Sequence, residues 1–103
     1  MTPRLPIPEA AIADCCRKRS VTEFALFGSI LRDDFGPESD VDVLVSFAPE
    51  MRYTLFDLVQ MEDDLKVIFR RDVDLVTRRA VERMLNAERK RNILESLEPV
   101  HAA

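Results

Sequence analysis

The stretch FGSILRDDFGPESDVDVLV, from Phe27 to Val45, decides the fold of this chain. It contains both glycines of the sequence, two aspartates separated by one residue, and an apolar run at its end. This pattern predicts a strand end, a tight Gly-Ser turn, a short helical or irregular connection, and a second strand that begins with Asp40 and Asp42. Because successive side chains of a strand point to opposite faces, both carboxylates are predicted to share one face.

Two carboxylates at this spacing favour a divalent cation. A like-charged pair about 4 Å apart costs about 4 kcal/mol at an effective dielectric constant of about 20, and a bound cation reverses that sign. No His or Cys lies within the stretch, so the oxygen donors suit Mg²⁺, with Mn²⁺ as the alternative, better than Zn²⁺. Gly28 and Ser29 predict a turn that cradles phosphate. Solvated acids beside a glycine that only relieves a turn remain the alternative.

Length and composition predict one domain over residues 1–103. The chain is 47% hydrophobic and 33% charged, as in ordinary globular proteins, and its net charge of −4 argues against direct binding of nucleic acid. No apolar run is long enough to span a bilayer, and the N-terminal segment lacks the apolar core of a signal peptide. We therefore expect a cytoplasmic protein without membrane association. Cys15 and Cys16 are sequence neighbours and are predicted to be free thiols.

Hydrophobic periodicity predicts strands alternating with helices. A helix follows Pro8, strands cover 21–27 and 40–47, and a third strand ends at Thr77. Between the second and third strands, Thr54 and Asp57 form a predicted capping box that starts a helix over 55–69. The buried stripe of that helix is predicted to be Leu55, Leu58, Val59, Leu65, Ile68 and Phe69.

Two further helices are predicted near the C-terminus, around 79–85 and from Asn86, a plausible N-cap, to about 97. The tail from Val100 is a candidate edge strand. Six basic and two acidic residues lie between Arg78 and Arg91, which indicates either a docking site for triphosphate or an acidic partner, or a solvated helical face. The predicted fold class is α+β, with a three-stranded mixed sheet, and a fourth edge strand as an option, flanked by helices.

Asp74, in the third strand, is the candidate for a third acid at the site. If this strand pairs beside the second, the Asp74 carboxylate can face the same site as Asp40 and Asp42. Asp72 lies on the same strand face by parity. Asp74 is preferred because apolar neighbours on both sides place it deeper in the sheet.

These motif residues, in this order, resemble those of the minimal nucleotidyltransferases of the DNA polymerase β superfamily. More narrowly, they resemble the MntA-type antitoxins encoded beside HEPN-domain (HepT) toxins. The set comprises Gly28, Ser29, Arg32, Asp34, Ser39, Asp40, Asp42 and Asp74. The resemblance implies a nucleotide-binding site of Gly28, Ser29, Arg32 and Ser39. It also implies that Asp40, Asp42 and Asp74 are catalytic and ligate two Mg²⁺ ions.

The reaction that the resemblance implies is in-line attack on the α-phosphate of ATP, with transfer of AMP to a tyrosine hydroxyl of a HEPN toxin. This sequence departs from the usual pattern of that family at two positions: Asp33 stands where members often have glycine, and Ile30 stands where a basic residue is common. Slower catalysis, or a different acceptor, is therefore left open. Transfer to a small-molecule hydroxyl, which usually needs a further domain, and inhibition of the toxin by steric occlusion are the alternatives. Met51, Tyr53 and Phe56 are candidates for the partner interface.

Overall fold

One mixed sheet organises the computed structural model, which describes residues 7–31, 36 and 38–102, except for the side chain of Ser29. Within these ranges four strands pair in the order β3-β2-β1-β4. β1 is antiparallel to both β2 and β4, whereas β2 and β3 are parallel. The mixed sheet and its C-terminal edge strand are therefore confirmed. The strands are β1 (Val21–Phe27), β2 (Val41–Phe47), β3 (Val73–Thr77) and β4 (Glu98–Ala102).

Side-chain caps fix where two of the predicted helices begin. The Thr54 hydroxyl accepts a hydrogen bond from the Asp57 amide at 3.3 Å, and the Asp57 carboxylate accepts one from the Thr54 amide at 2.8 Å. The Asn86 side chain accepts a hydrogen bond from the Arg89 amide at 3.0 Å. Both predicted N-terminal caps are therefore confirmed. The helices are α1 (Glu9–Lys18), α2 (Leu55–Phe69), α3 (Arg78–Glu82) and α4 (Ala87–Glu95).

The sheet buries apolar side chains on both faces. On one face, Phe24, Val43 and Val45 share a cluster with residues of α1 and α2. On the other, Phe27 and Leu44 pack with Val81 of α3 and Ile93 of α4. Since strand side chains alternate between faces, Asp42 lies on the same face as Leu44, beneath α3 and α4. None of the described helices is long and apolar enough to cross a membrane.

The buried stripe of α2 differs from the prediction in its N-terminal half. Leu65 and Phe69 are buried as predicted, but Leu55 and Val59 are 76% and 52% exposed, and Met61 is buried instead. Met61, Leu65 and Phe69 recur every four residues and so lie on one side of the helix. Leu55 and Val59 form a second apolar row, and the sequence alone did not decide which row faces the sheet.

Cys15 and Cys16 are free, as predicted, and both are buried in α1. Burial raises the pKa of the Cys15 thiol and raises that of Cys16 to about 12. Both thiols therefore stay protonated near neutral pH and pack as small apolar groups.

An ion pair joins β1 to the start of α3 across the sheet. Arg78 Nε and Nη2 donate to the two Glu23 carboxylate oxygens at 2.8 and 2.6 Å. The Ser46 hydroxyl donates to the same carboxylate at 2.8 Å. The hydrogen bonds from Arg78, assisted by that from Ser46, lower the pKa of the Glu23 carboxyl. This carboxylate therefore links β1, β2 and α3 while it is ionised.

We expect Glu23→Gln to lower the free energy of unfolding by about 1 kcal/mol at pH 7, because solvent weakens this partly exposed pair. The Arg78 and Glu23 side chains are 33% and 29% exposed. A carboxyl with a lowered folded pKa stabilises the protein above its unfolded pKa and loses that contribution as pH falls through the folded pKa. The difference between wild type and variant should therefore shrink below about pH 4.

Urea unfolding followed by circular dichroism at pH 7 and pH 3 measures this difference. Glu62→Gln is the control: it removes the partner of Lys66 in an ion pair on α2 that is longer and more exposed than that of Glu23. It should change stability by under about 0.5 kcal/mol. A gap between wild type and Glu23→Gln that widens on acidification would contradict the assignment.

Candidate active site

Gly28 begins the 3₁₀ turn Gly28–Leu31, directly after β1. Its φ of +75° lies in the left-handed region that glycine adopts without steric penalty. A Cβ atom placed there would overlap Asp42 Oδ2 and lie 3.2 Å from Asp42 Cγ. The glycine therefore serves two purposes, since it permits the turn and leaves room for the Asp42 carboxylate against the backbone.

Asp42 and Asp74 lie side by side in the sheet. They are register partners in the parallel pair of β2 and β3, so their side chains leave the same face from strands about 4.8 Å apart. Asp42 is half-buried and Asp74 exposed. Asp74 is inside β3, whereas Asp72 precedes it. Both are exposed, so the choice of Asp74 over Asp72 stays a prediction.

Asp40 stands one residue before β2, outside the region where strand alternation fixes side-chain direction. Within residues 7–31, 36 and 38–102, no three acidic, His or Cys side chains are grouped closely enough to hold a metal ion as placed. Asp42 and Asp74 share a face and a register. The convergence of all three carboxylates upon a cation stays a prediction.

The loop before Asp40 is held by Arg71, which follows the end of α2. Arg71 Nη1 donates to the carbonyl oxygens of Gly36 and Ser39 at 2.9 and 3.0 Å. The Ser39 hydroxyl accepts a hydrogen bond from the Gly36 amide at 3.0 Å. Ser39, predicted to bind nucleotide, thus shapes the loop, and Arg71 positions the chain that enters β2. No local sequence pattern indicates this role of Arg71, since the contact with Ser39 spans 32 residues.

The other predicted residues divide into two groups. Arg32, Asp33 and Asp34 lie outside the described residues, as does the Ser29 side chain, although the Ser29 backbone belongs to the 3₁₀ turn. Ile30 is completely buried in the main apolar cluster. This departure from the family pattern therefore has a structural reason, because a basic side chain could not occupy that position without burying its charge.

A cavity of about 450 Å³ lies between the Gly28 turn and α4; we call it the turn cavity. Arg89, Asn92, Ile93 and Ser96 line it at helical spacing, so one side of α4 and the residue that follows it face the cavity. The predicted basic segment thus contributes one arginine to the site. The sequence pattern does not identify these individual residues, because only the tertiary fold brings α4 beside the turn. The remaining lining residues are Phe27, Gly28, Leu31 and Asp42.

A second space, of about 520 Å³, lies between the segment before β2 and the end of α2; we call it the charged groove. Asp40 lines this groove, whereas Asp42 lines the turn cavity. The two aspartates therefore line two recesses of different chemical character. The groove is lined by Glu38, Ser39, Asp40, Lys66, Arg70, Arg71 and Asp72.

The chain is similar to known proteins in both sequence and fold. The family model described as a nucleotidyltransferase domain matches residues 9–100. A Methanocaldococcus jannaschii protein described as a candidate protein adenylyltransferase is 31% identical over 68 residues, which are 66% of this chain and 71% of that protein. The solved structure of a candidate minimal nucleotidyltransferase has a TM-score of 0.68 at 25% identity, and the match covers 88% of this chain and 87% of that one.

The fold also recurs in a toxin-antitoxin assembly. A chain of the complex between the tri-AMPylated Shewanella oneidensis HEPN toxin and its MNT antitoxin has a TM-score of 0.63. The identity is 18%, and the match covers 92% of this chain and 70% of that one. At this identity the likeness establishes a shared architecture.

Proposed function

The chain belongs to the family of nucleotidyltransferase domains, and from that premise we propose that it transfers AMP from ATP to a tyrosine hydroxyl of a HEPN-domain toxin. The transfer silences the toxin, and the proposed setting is the cytoplasm. The observation that carries this proposal is the contact between Gly28 and Asp42 beside Asp74. This contact places the Gly28 turn, which suits phosphate, beside two carboxylates on one face of the sheet.

In the proposed reaction the acceptor oxygen attacks the α-phosphorus of ATP. The bond from that phosphorus to the oxygen bridging the β-phosphorus breaks, and pyrophosphate leaves with the electron pair. Asp74, the more exposed of the two register partners, accepts the proton of the hydroxyl. The Gly28 turn holds the phosphates against the backbone, and Ser29 and Arg32 are proposed to assist it.

The carboxylates of Asp40, Asp42 and Asp74 form a donor set of oxygen atoms alone, which suits Mg²⁺ or Mn²⁺. Two such ions, when bound, supply charge neutralisation for the attacking and leaving oxygens. Arg71 contributes by fixing the loop that places Asp40 directly before β2.

Exposed apolar side chains on α2 support the proposal that the acceptor is a protein. Phe56 is 67% exposed, as the interface prediction requires, and Leu55 and Val59 are exposed beside it. Met51 and Tyr53 are half-buried, and the Tyr53 ring stacks on Phe47 with centroids 4.4 Å apart. The interface proposed for the HEPN toxin is therefore centred on Phe56, with Tyr53 fixing the preceding loop.

The proposal is tested by incubating the protein with Mg²⁺, α-labelled ATP and the HEPN-domain product of a neighbouring reading frame. We expect label on the HEPN protein and loss of its ribonuclease activity. A toxin variant in which phenylalanine replaces the acceptor tyrosine should stay unlabelled. Label on an added small-molecule hydroxyl, with none on the protein, would overturn the proposed acceptor. Inhibition of the toxin without any label would establish occlusion instead.

A further inference from the structure

We propose that the turn cavity binds the adenine base of the donor nucleotide and that Asn92 of α4 is the residue that selects it. This inference rests on the proposed function and assigns a base-selecting residue within the same site. A nucleotide whose α-phosphorus lies at Asp42 must extend its nucleoside into a space that adjoins Asp42. Of the two recesses described above, Asp42 lines the turn cavity, whereas Asp40 lines the charged groove.

The residues that line the two recesses indicate which of them holds the base. All residues that line the charged groove are polar or charged, with acids and bases interspersed. The turn cavity instead presents Phe27, Leu31 and Ile93 together with a few polar groups. Apolar walls with a small number of fixed polar groups are what an aromatic heterocycle needs, and about 450 Å³ lies within the usual range for ligand sites. The base therefore occupies the turn cavity.

The polar groups of α4 indicate which base is selected. Asn92 is exposed, and no hydrogen bond to its side-chain amide is formed within the described part of the chain. An amide presents donors and an acceptor together and matches the N6 and N7 edge of adenine, whereas arginine pairs best with O6 and N7 of guanine. Arg89 lies one turn earlier on α4, where its charge suits the ribose-phosphate portion.

Nucleotide binding without acceptor tests the inference. The full chain with Mg²⁺ is titrated by calorimetry with non-hydrolysable analogues of ATP, GTP, CTP and UTP. We expect wild type to bind the ATP analogue about tenfold more tightly than the GTP analogue, and Asn92→Ala to abolish that preference with little change in GTP affinity. Alanine is favourable within a helix, so the variant should fold. Gln60→Ala removes an exposed amide from α2 and should retain the preference.

The titrations distinguish failure of the Asn92 assignment from failure of the proposed function. A wild type without base preference, a preference for guanine, or an unchanged ratio in Asn92→Ala would overturn the role of Asn92 and leave AMP transfer standing. Failure of wild type to bind any of the four nucleotides would instead overturn the proposed function.

Discussion

Asp42→Asn is expected to reduce AMP transfer at least about 10³-fold while leaving the fold intact. Asparagine has nearly the same shape, so it fits beside Gly28 where the aspartate carboxylate now lies. It lacks the negative charge that a divalent cation requires, and loss of such a ligand removes several kcal/mol of transition-state stabilisation. A 10³-fold change corresponds to about 4 kcal/mol.

The rate of label transfer from α-labelled ATP to the HEPN toxin measures the effect, and calorimetry with Mg²⁺ and an ATP analogue measures binding separately. Asp72→Asn is the matched control, since Asp72 precedes β3 and lines the charged groove. It should retain transfer within about threefold. Equal losses in both variants would contradict the assignment of Asp74, rather than Asp72, as the partner of Asp42.

The same variant separates catalysis from occlusion. If Asp42→Asn no longer transfers AMP and no longer protects cells from the toxin, protection depends on the chemistry. If protection persists without transfer, the chain acts by covering the toxin and the enzymatic proposal fails.

Local sequence patterns predicted much of this site. Alternating apolar residues located β1 and β2, and the apolar neighbours of Asp74 placed it within β3, where it pairs with Asp42. These features depend on the strand period and on residues near in sequence. The capping box of Thr54 and Asp57 was predictable for the same reason.

Long-range packing set the features that the sequence did not predict. The turn cavity forms because α4 lies beside the Gly28 turn, more than fifty residues away in sequence. Arg71 reaches the Gly36 carbonyl from 35 residues away, and neither end carries a local signature. The wrong prediction for the buried side of α2 has a different cause. The helix has two apolar rows, and only its position on the sheet determines that Met61 is buried and Val59 is exposed.

Gly28→Ala is expected to lower catalysis much more than stability. A side chain at a φ of +75° costs about 1–2 kcal/mol in the folded state. The added methyl group would also occupy the position of the Asp42 carboxylate, which must rotate away because the backbone of β2 is fixed by pairing on both sides. We therefore expect loss of AMP transfer by at least about 10²-fold, or about 2.7 kcal/mol, with unfolding still cooperative.

The second glycine supplies a matched control for this effect. A Cβ atom at Gly36 meets no atom within 4 Å, so Gly36→Ala should keep both stability and transfer near wild-type values. Urea unfolding and label transfer are measured for both variants and for the double variant Gly28→Ala with Asp42→Asn. If Gly28 acts through Asp42, the double variant should transfer AMP no more slowly than Asp42→Asn alone. Additive losses would show that the turn contributes independently of the carboxylate, and wild-type transfer by Gly28→Ala would show that the Asp42 position is not required.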